Sequence, residues 1–173
     1  MDWLQEVAKI ASAEGLPVAW PTPSGLLVQQ AYRVPDVQVI KLAFGSVRLE
    51  LNVHEDRTAQ VLDKRRQSSG VAPNWVHSLD AAHLMRTINA ASDLGLRSFC
   101  FIHDSYGTHA GNTQALATIL REEFVRMYTE HDVLAEFAQA IRAQLPEGVE
   151  LPPMPAHGNL DLSVVLDSPF FFA

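Results

Sequence analysis

The stretch Ser98-Phe99-Cys100-Phe101-Ile102-His103-Asp104-Ser105-Tyr106-Gly107-Thr108 constrains this chain more than any other. An apolar run climbs to a carboxylate, and a second short run leaves it. Apolar or β-prone residues on both sides read as two strands, with His103, Asp104 and Ser105 at or beside the turn. Such a hairpin fixes its own backbone and presents one oxygen ligand to solvent at the tip. That is a good platform for a metal ion. Cys100 lies inside the apolar strand and reads as a packing residue.

A chain of 173 residues with 47% hydrophobic content can bury a core, and disorder is not expected. No run of about 18 apolar residues is present, so no membrane partner or span is expected. The start, Met1-Asp2-Trp3-Leu4-Gln5-Glu6, has neither the basic-then-apolar character of a signal peptide nor the Arg-rich character of a transit peptide. One cysteine makes no internal disulfide and fits a reducing cytoplasm. The net charge of −7 argues against a free-standing nucleic-acid binder. Yet seven of the thirteen Lys and Arg residues fall between Arg33 and Arg66, so phosphate contact is expected in the first half.

Taken in order, Asp2 reads as the cap of a first helix that Gly15 ends. Leu16 to Trp20 and Leu26 to Tyr32 read as strands around a Pro/Gly turn. Residues 36–53 read as a hairpin turning at Gly45, because Val47, Leu49, Leu51 and Val53 alternate with polar residues. Glu55 to Gln67 reads as a helix ending in Lys64, Arg65 and Arg66. There the cations would either complement the helix dipole or touch phosphate. Ser68-Ser69-Gly70 reads as a break, and Pro73 as extended chain. Ser78 reads as the N-cap of a helix with Ala81, Leu84, Ile88 and Ala91 on one face, which places His77 just outside it. Asn74 reads as loop support and Trp75 as packing. Two further helices follow, one with Leu116, Ile119, Leu120, Phe124 and Met127 inward, the next capped by Asp132. The expected architecture is α+β: antiparallel β-hairpins packed against several helices.

Three blocks in order carry a family resemblance. They are Ser69 to Ser78, the His103-Asp104-Ser105 turn, and the terminal Asp167-Ser168-Pro169-Phe170-Phe171-Phe172-Ala173. Together they resemble the carboxyl-terminal part of the single-subunit, phage-type DNA-directed RNA polymerases, and the likeness covers almost the whole chain as a single palm/fingers fragment. The resemblance implies that residues 98–108 are the palm "motif C" hairpin, with Asp104 a ligand of Mg2+. His103 and Ser105 would flank it, near the RNA 3′ end. It implies that 36–53 is the specificity loop, with Lys41, Ser46, Arg48 and Glu50 as candidates for promoter contact, since a β-ribbon fits a major groove. It implies that His77 reads the minor groove of the new base pair, and that 167–173, with Phe172 and Ala173, docks as a foot near the active site. DNA template, RNA transcript and NTP are the implied partners, and a phage-infected or prophage-carrying bacterial cell the implied setting.

The family's second aspartate and its triphosphate-binding motifs find no match before residue 98. The expectation is therefore that this polypeptide alone does not polymerise and that a complementary N-terminal polymerase chain would be needed. The competing expectation is a DNA-binding remnant without catalysis. A hydrolase using His103, Asp104 and Ser105 is disfavoured, because adjacent strand residues point to opposite faces and Ser105 has no nucleophile elbow. The seven histidines lack zinc-ligand spacing.

Overall fold

The computed structural model describes residues 1–34, 37–41, 48–52 and 61–171. Helix α1 (Asp2–Ala13) buries Leu4, Val7, Ala8 and Ala11, the spacing of one helical face. Asp2 is its first residue; Met1 holds the cap position. Gly15, at φ +73°, takes the left-handed turn that ends the helix. Strands β1 (Val18–Pro21) and β2 (Leu27–Gln30) pair antiparallel, as do β3 (Val37–Lys41) and β4 (Arg48–Asn52). Helix α2 (Lys64–Asp93) leads to a third hairpin, β5 (Phe99–Ile102) and β6 (Ser105–Thr108). Helices α3 (Thr113–Glu130), α4 (Val133–Arg142) and the short α5 (Val164–Asp167) follow. The expected mix of antiparallel hairpins and helices is what the chain forms.

Helix α2 departs from the sequence reading. It is 30 residues long and runs unbroken through Ser68, Ser69, Gly70 and Pro73. Pro73 removes one ladder hydrogen bond and costs about 3 kcal/mol in a helix interior. Packing offsets this. Val71 and Ala72, between Gly70 and Pro73, are buried with α1, β1 and α4 in one cluster that also holds Trp20, Phe137 and Ile141. Gly70 is a close-approach site rather than a stop: a Cβ there would lie 2.7 Å from Cε2 of Tyr32.

Two consequences correct the local reading. Lys64, Arg65 and Arg66 form the first turn of α2, not the last, behind Asp63, whose carboxylate accepts the Arg66 amide at 3.0 Å. Leu62 is not helical; it bridges to Arg33. Ser78 is an interior residue of α2 and caps nothing.

A second cluster joins the end of α2 to α3 through Ala91, Leu96, Leu116, Ile119 and Leu120, with Phe99 and Tyr106 of the third hairpin packed on it. This is what seats the hairpin. Its strands are half-buried: Phe99 and Phe101 are partly covered, while Cys100 and Ile102 are exposed. Cys100 is thus a surface thiol and not a packing residue, because alternate strand residues take opposite faces. Of the inward face expected for α3, Leu116, Ile119, Leu120 and Met127 are buried and Phe124 is partly covered, while α4 buries Phe137, Ala138 and Ile141. Asp132 caps α4 by accepting the Ala135 amide at 3.0 Å. No helix among the described residues is long and apolar enough to cross a membrane.

Candidate nucleic-acid and metal-binding site

The third hairpin turns in two residues. Ile102 pairs with Ser105, leaving His103 and Asp104 as the tip. His103 has φ +55° and is the sole non-glycine residue at positive φ among the described residues. That conformation costs about 1–3 kcal/mol outside glycine and persists where the surroundings enforce it. Here the two-residue hairpin turn demands it, and aromatic contacts hold the flanking strands: Phe99 and Phe101 stack with centroids 5.4 Å apart, and Phe101 meets Tyr106 edge-on at 5.3 Å.

Asp104 is exposed, so its carboxylate is available to a ligand. The tip stands over the middle of α2. Together they line a groove of about 640 Å³, walled by His77, Asp80, Ala81, Leu84 and Met85 from the helix and by His103 and Asp104 from the turn. His77, Asp80, Ala81 and Leu84 follow the i, i+3, i+4, i+7 pattern of a single helix face. The structure thus brings together three of the expected residues, His77, His103 and Asp104. Ser105 is exposed beside the tip but is not part of the groove wall.

Asp80 is the residue that sequence reasoning missed. Reading a helix start at Ser78 hid the fact that His77 and Asp80 belong to one continuous face. Two carboxylates therefore border the groove, and both act on the Tyr106 phenol. Burial first, then the charges of Asp80 and Asp104, push it up to about 12.

His77 also lines a second groove of about 370 Å³ with Gln29, Gln30, Tyr32 and Asn74. Asn74 is a helical residue that ties α2 to β2: its amide donates to Gln30 Oε1 at 2.8 Å and to the Tyr32 hydroxyl at 3.0 Å. Gln67, fully buried, donates to the Gln30 carbonyl at 3.0 Å and accepts the Tyr32 amide at 2.9 Å. Trp75 packs on Phe137, as a core residue should.

The remaining expected residues lie elsewhere. Lys64, Arg65 and Arg66 are exposed, roughly 18 Å of helix rise from His77. Lys41 and Arg48 are the register pair that ends the β3–β4 ladder, and Glu50 pairs with Val39. Ser46 and Gly45, and the terminal Phe172 and Ala173, lie outside the described residues. The segment before that terminus does dock. Arg121 donates to the Ser168 carbonyl from Nε at 3.2 Å and Nη2 at 3.0 Å, and the Phe171 ring meets Phe124 at 5.0 Å.

The donor chemistry suits a hard cation in part. Asp104 and Asp80 offer carboxylate oxygens to one groove, but no group of three or more ligating side chains occurs among the described residues. Such a site would complete its shell with water or with oxygens of a bound phosphate, which is how magnesium is commonly held.

The family model for DNA-dependent RNA polymerase matches residues 1–149. The chain belongs to the single-subunit, phage-type RNA polymerases. It is 40% identical over 172 residues to DNA-directed RNA polymerase 1, mitochondrial, of Nicotiana sylvestris. The same identity and length relate it to DNA-directed RNA polymerase 2, chloroplastic/mitochondrial, of Arabidopsis thaliana. Each match covers 99% of this chain but 16% of the relative. DNA-directed RNA polymerase 2A of Nicotiana tabacum matches over 172 residues at 40% identity, across 49% of its length. This polymerase chain therefore spans about one sixth of the first relatives it matches. Their names are organellar, where the sequence reading pointed to a bacterial cytoplasm.

Proposed function

We propose that this chain is the carboxyl-terminal, pair-checking part of a DNA-directed RNA polymerase that joins NTPs to a transcript on a DNA template. One observation carries the reading: His77 of α2 and the adjacent His103 and Asp104 of the hairpin tip, far from it in sequence, border one open groove. Asp104 is the residue that would hold magnesium there, with Asp80 close enough to border the same space. When bound, two such ions supply activation of the RNA 3′-hydroxyl and charge neutralisation at the triphosphate.

The chain's own residues do the rest. The exposed His77 ring offers an N–H donor, and minor-groove acceptors are common to all base pairs, so this donor tests pair shape without reading sequence. The strained tip holds His103 and Asp104 at a set height above α2, with His103 beside the transcript end. Ser105, next along β6, orients the tip. Lys64, Arg65 and Arg66 contact phosphate. Cations at a helix N-terminus oppose the dipole rather than complement it, so the dipole-capping explanation for this cluster fails. The β3–β4 hairpin, with Lys41, Arg48 and Glu50, is assigned to promoter contact, and the docked end near Ser168 and Phe171 serves as the foot.

Synthesis is expected to draw on further polymerase sequence, on this chain or a second one, since among the described residues two carboxylates border the groove. The test is extension of a primed template with labelled nucleotides. The isolated chain is expected to give none, and mixing with a polypeptide carrying the missing acidic and lysine segments is expected to restore it. Synthesis by the chain alone overturns that expectation. Promoter-duplex binding without rescue favours the DNA-binding remnant.

A further inference from the structure

His83 is buried on α2, three residues beyond Asp80, and does not line the groove. Its Nε2 lies 2.9 Å from the Leu120 carbonyl oxygen of α3. A carbonyl only accepts, so Nε2 carries the proton. Burial, the largest influence on this ring, lowers its pKa and so disfavours the charged form. Nδ1 is then an acceptor, and the Tyr106 hydroxyl stands 3.4 Å from it, placed to donate. The imidazole is also packed, with ring centroids 5.6 Å from Phe124 and 6.0 Å from Tyr106. Tyr106 lies on β6, two residues after Asp104 and directly across from Phe101. A directed chain thus runs from the hairpin, through one imidazole of fixed tautomer, into α3.

We propose that His83 is a positioning residue: through Tyr106 it sets the pitch of the β5–β6 hairpin and so the place of Asp104 over the His77 groove. The packing of Phe99 and Tyr106 holds the hairpin to the second core cluster by apolar contact, which has no direction of its own. Two hydrogen bonds on opposite sides of one planar ring add direction to it. A carboxylate at a two-residue tip amplifies any roll at its base. The importance of this for nucleotide transfer rests on the function proposed above; the mechanical claim does not.

The experiment is nuclear magnetic resonance on the whole chain with isotope-labelled histidine. The His83 ring is expected as the Nε2–H tautomer, and Tyr106→Phe, which keeps the ring packing, is expected to shift Nδ1 alone. Residual dipolar couplings of the amides at 103–106 are expected to change in Tyr106→Phe while those of α3 stay fixed. His83→Gln, which retains a donor for Leu120 and an acceptor, is expected to restore the couplings more fully than His83→Phe. Restoration by Gln is not expected of a ring that merely fills space. An Nδ1–H tautomer, or couplings at the tip that Tyr106→Phe leaves unchanged, would overturn the proposal, even if His83→Phe fails to fold. No nucleic acid enters this measurement, so a failure of the polymerase assignment registers separately, as absent synthesis with tip couplings that still respond.

Discussion

Trp20 donates its indole N–H to the Ser78 hydroxyl, 3.0 Å away and 58 residues further along the chain. Ser78 in turn donates to the Trp75 carbonyl at 2.7 Å. Both side chains are buried, so the hydroxyl that sequence logic offers to a helix start is spent on β1 instead. Ser78→Ala leaves the indole N–H without this acceptor in a dry interior. The expected loss is about 1–3 kcal/mol, the cost of an unsatisfied buried donor. Urea unfolding followed by tryptophan fluorescence would measure it, and an unchanged midpoint would contradict the bond's role.

Asp104 makes the opposite case. It is exposed, so Asp104→Asn is expected to move stability by less than about 0.5 kcal/mol. In a full-length polymerase that contains this segment, the same change is expected to abolish nucleotide addition. His77→Ala in that polymerase is expected to retain extension but to extend mismatched ends more readily. Equal activity of the Asn variant would remove Asp104 from the mechanism.

Acid is expected to destabilise the fold through His83. Its pKa in the folded chain lies below the ordinary 6.5, with desolvation as the leading cause, opposed by the Leu120 bond and the charges of Asp80 and Glu123, and aided by Arg86. Below about pH 6.5 the unfolded chain binds a proton that the folded ring resists. The contribution is therefore present above that pH and is lost as pH falls towards the folded value. Urea midpoints between about pH 7.5 and about pH 5.5 should fall less in His83→Gln than in the parent. Parallel slopes would exclude this titration.

Glu123 is a buried carboxylate at 4% exposure, gripped from two sides. Arg86 Nε donates to Oε2 at 3.2 Å, and Arg126 Nη1 to Oε1 at 2.6 Å. Arg86 keeps Glu130, at 2.6 Å, when Glu123 is neutralised. Glu123→Gln is thus expected to cost about 1–3 kcal/mol rather than the full penalty of an orphaned ion. Melting should fall by about 2–4 °C per kcal/mol at this chain length. A change below one degree would mean that the pair contributes little beyond its desolvation.

The hairpins, the capped start of α4 and the inward face of α3 were legible in the residues, because each depends on neighbours within a few positions. The turn at His103 and Asp104 was legible for the same reason. Asp80 and His83 were not. Their roles depend on α2 being continuous, and the Ser-Ser-Gly, Pro73 and Ser78 signals all argued locally against that.

The sequence by itself determined the strand-turn-strand that carries Asp104, since alternation and a polar tip leave little other choice. Only the tertiary structure decided that His77, Asp80 and Asp104 share a groove and that the basic turn begins a helix instead of ending one. The physical reason is one of magnitude. Cap and breaker preferences are worth about 1–3 kcal/mol apiece. Burying each large apolar side chain is worth about 1.5–3 kcal/mol, and α2 buries Val71 and Leu79, with Ala72 and Ala82, across the stretch where the local signals would have cut it. Burial summed over a long helix outweighs the local signals that would have cut it in two.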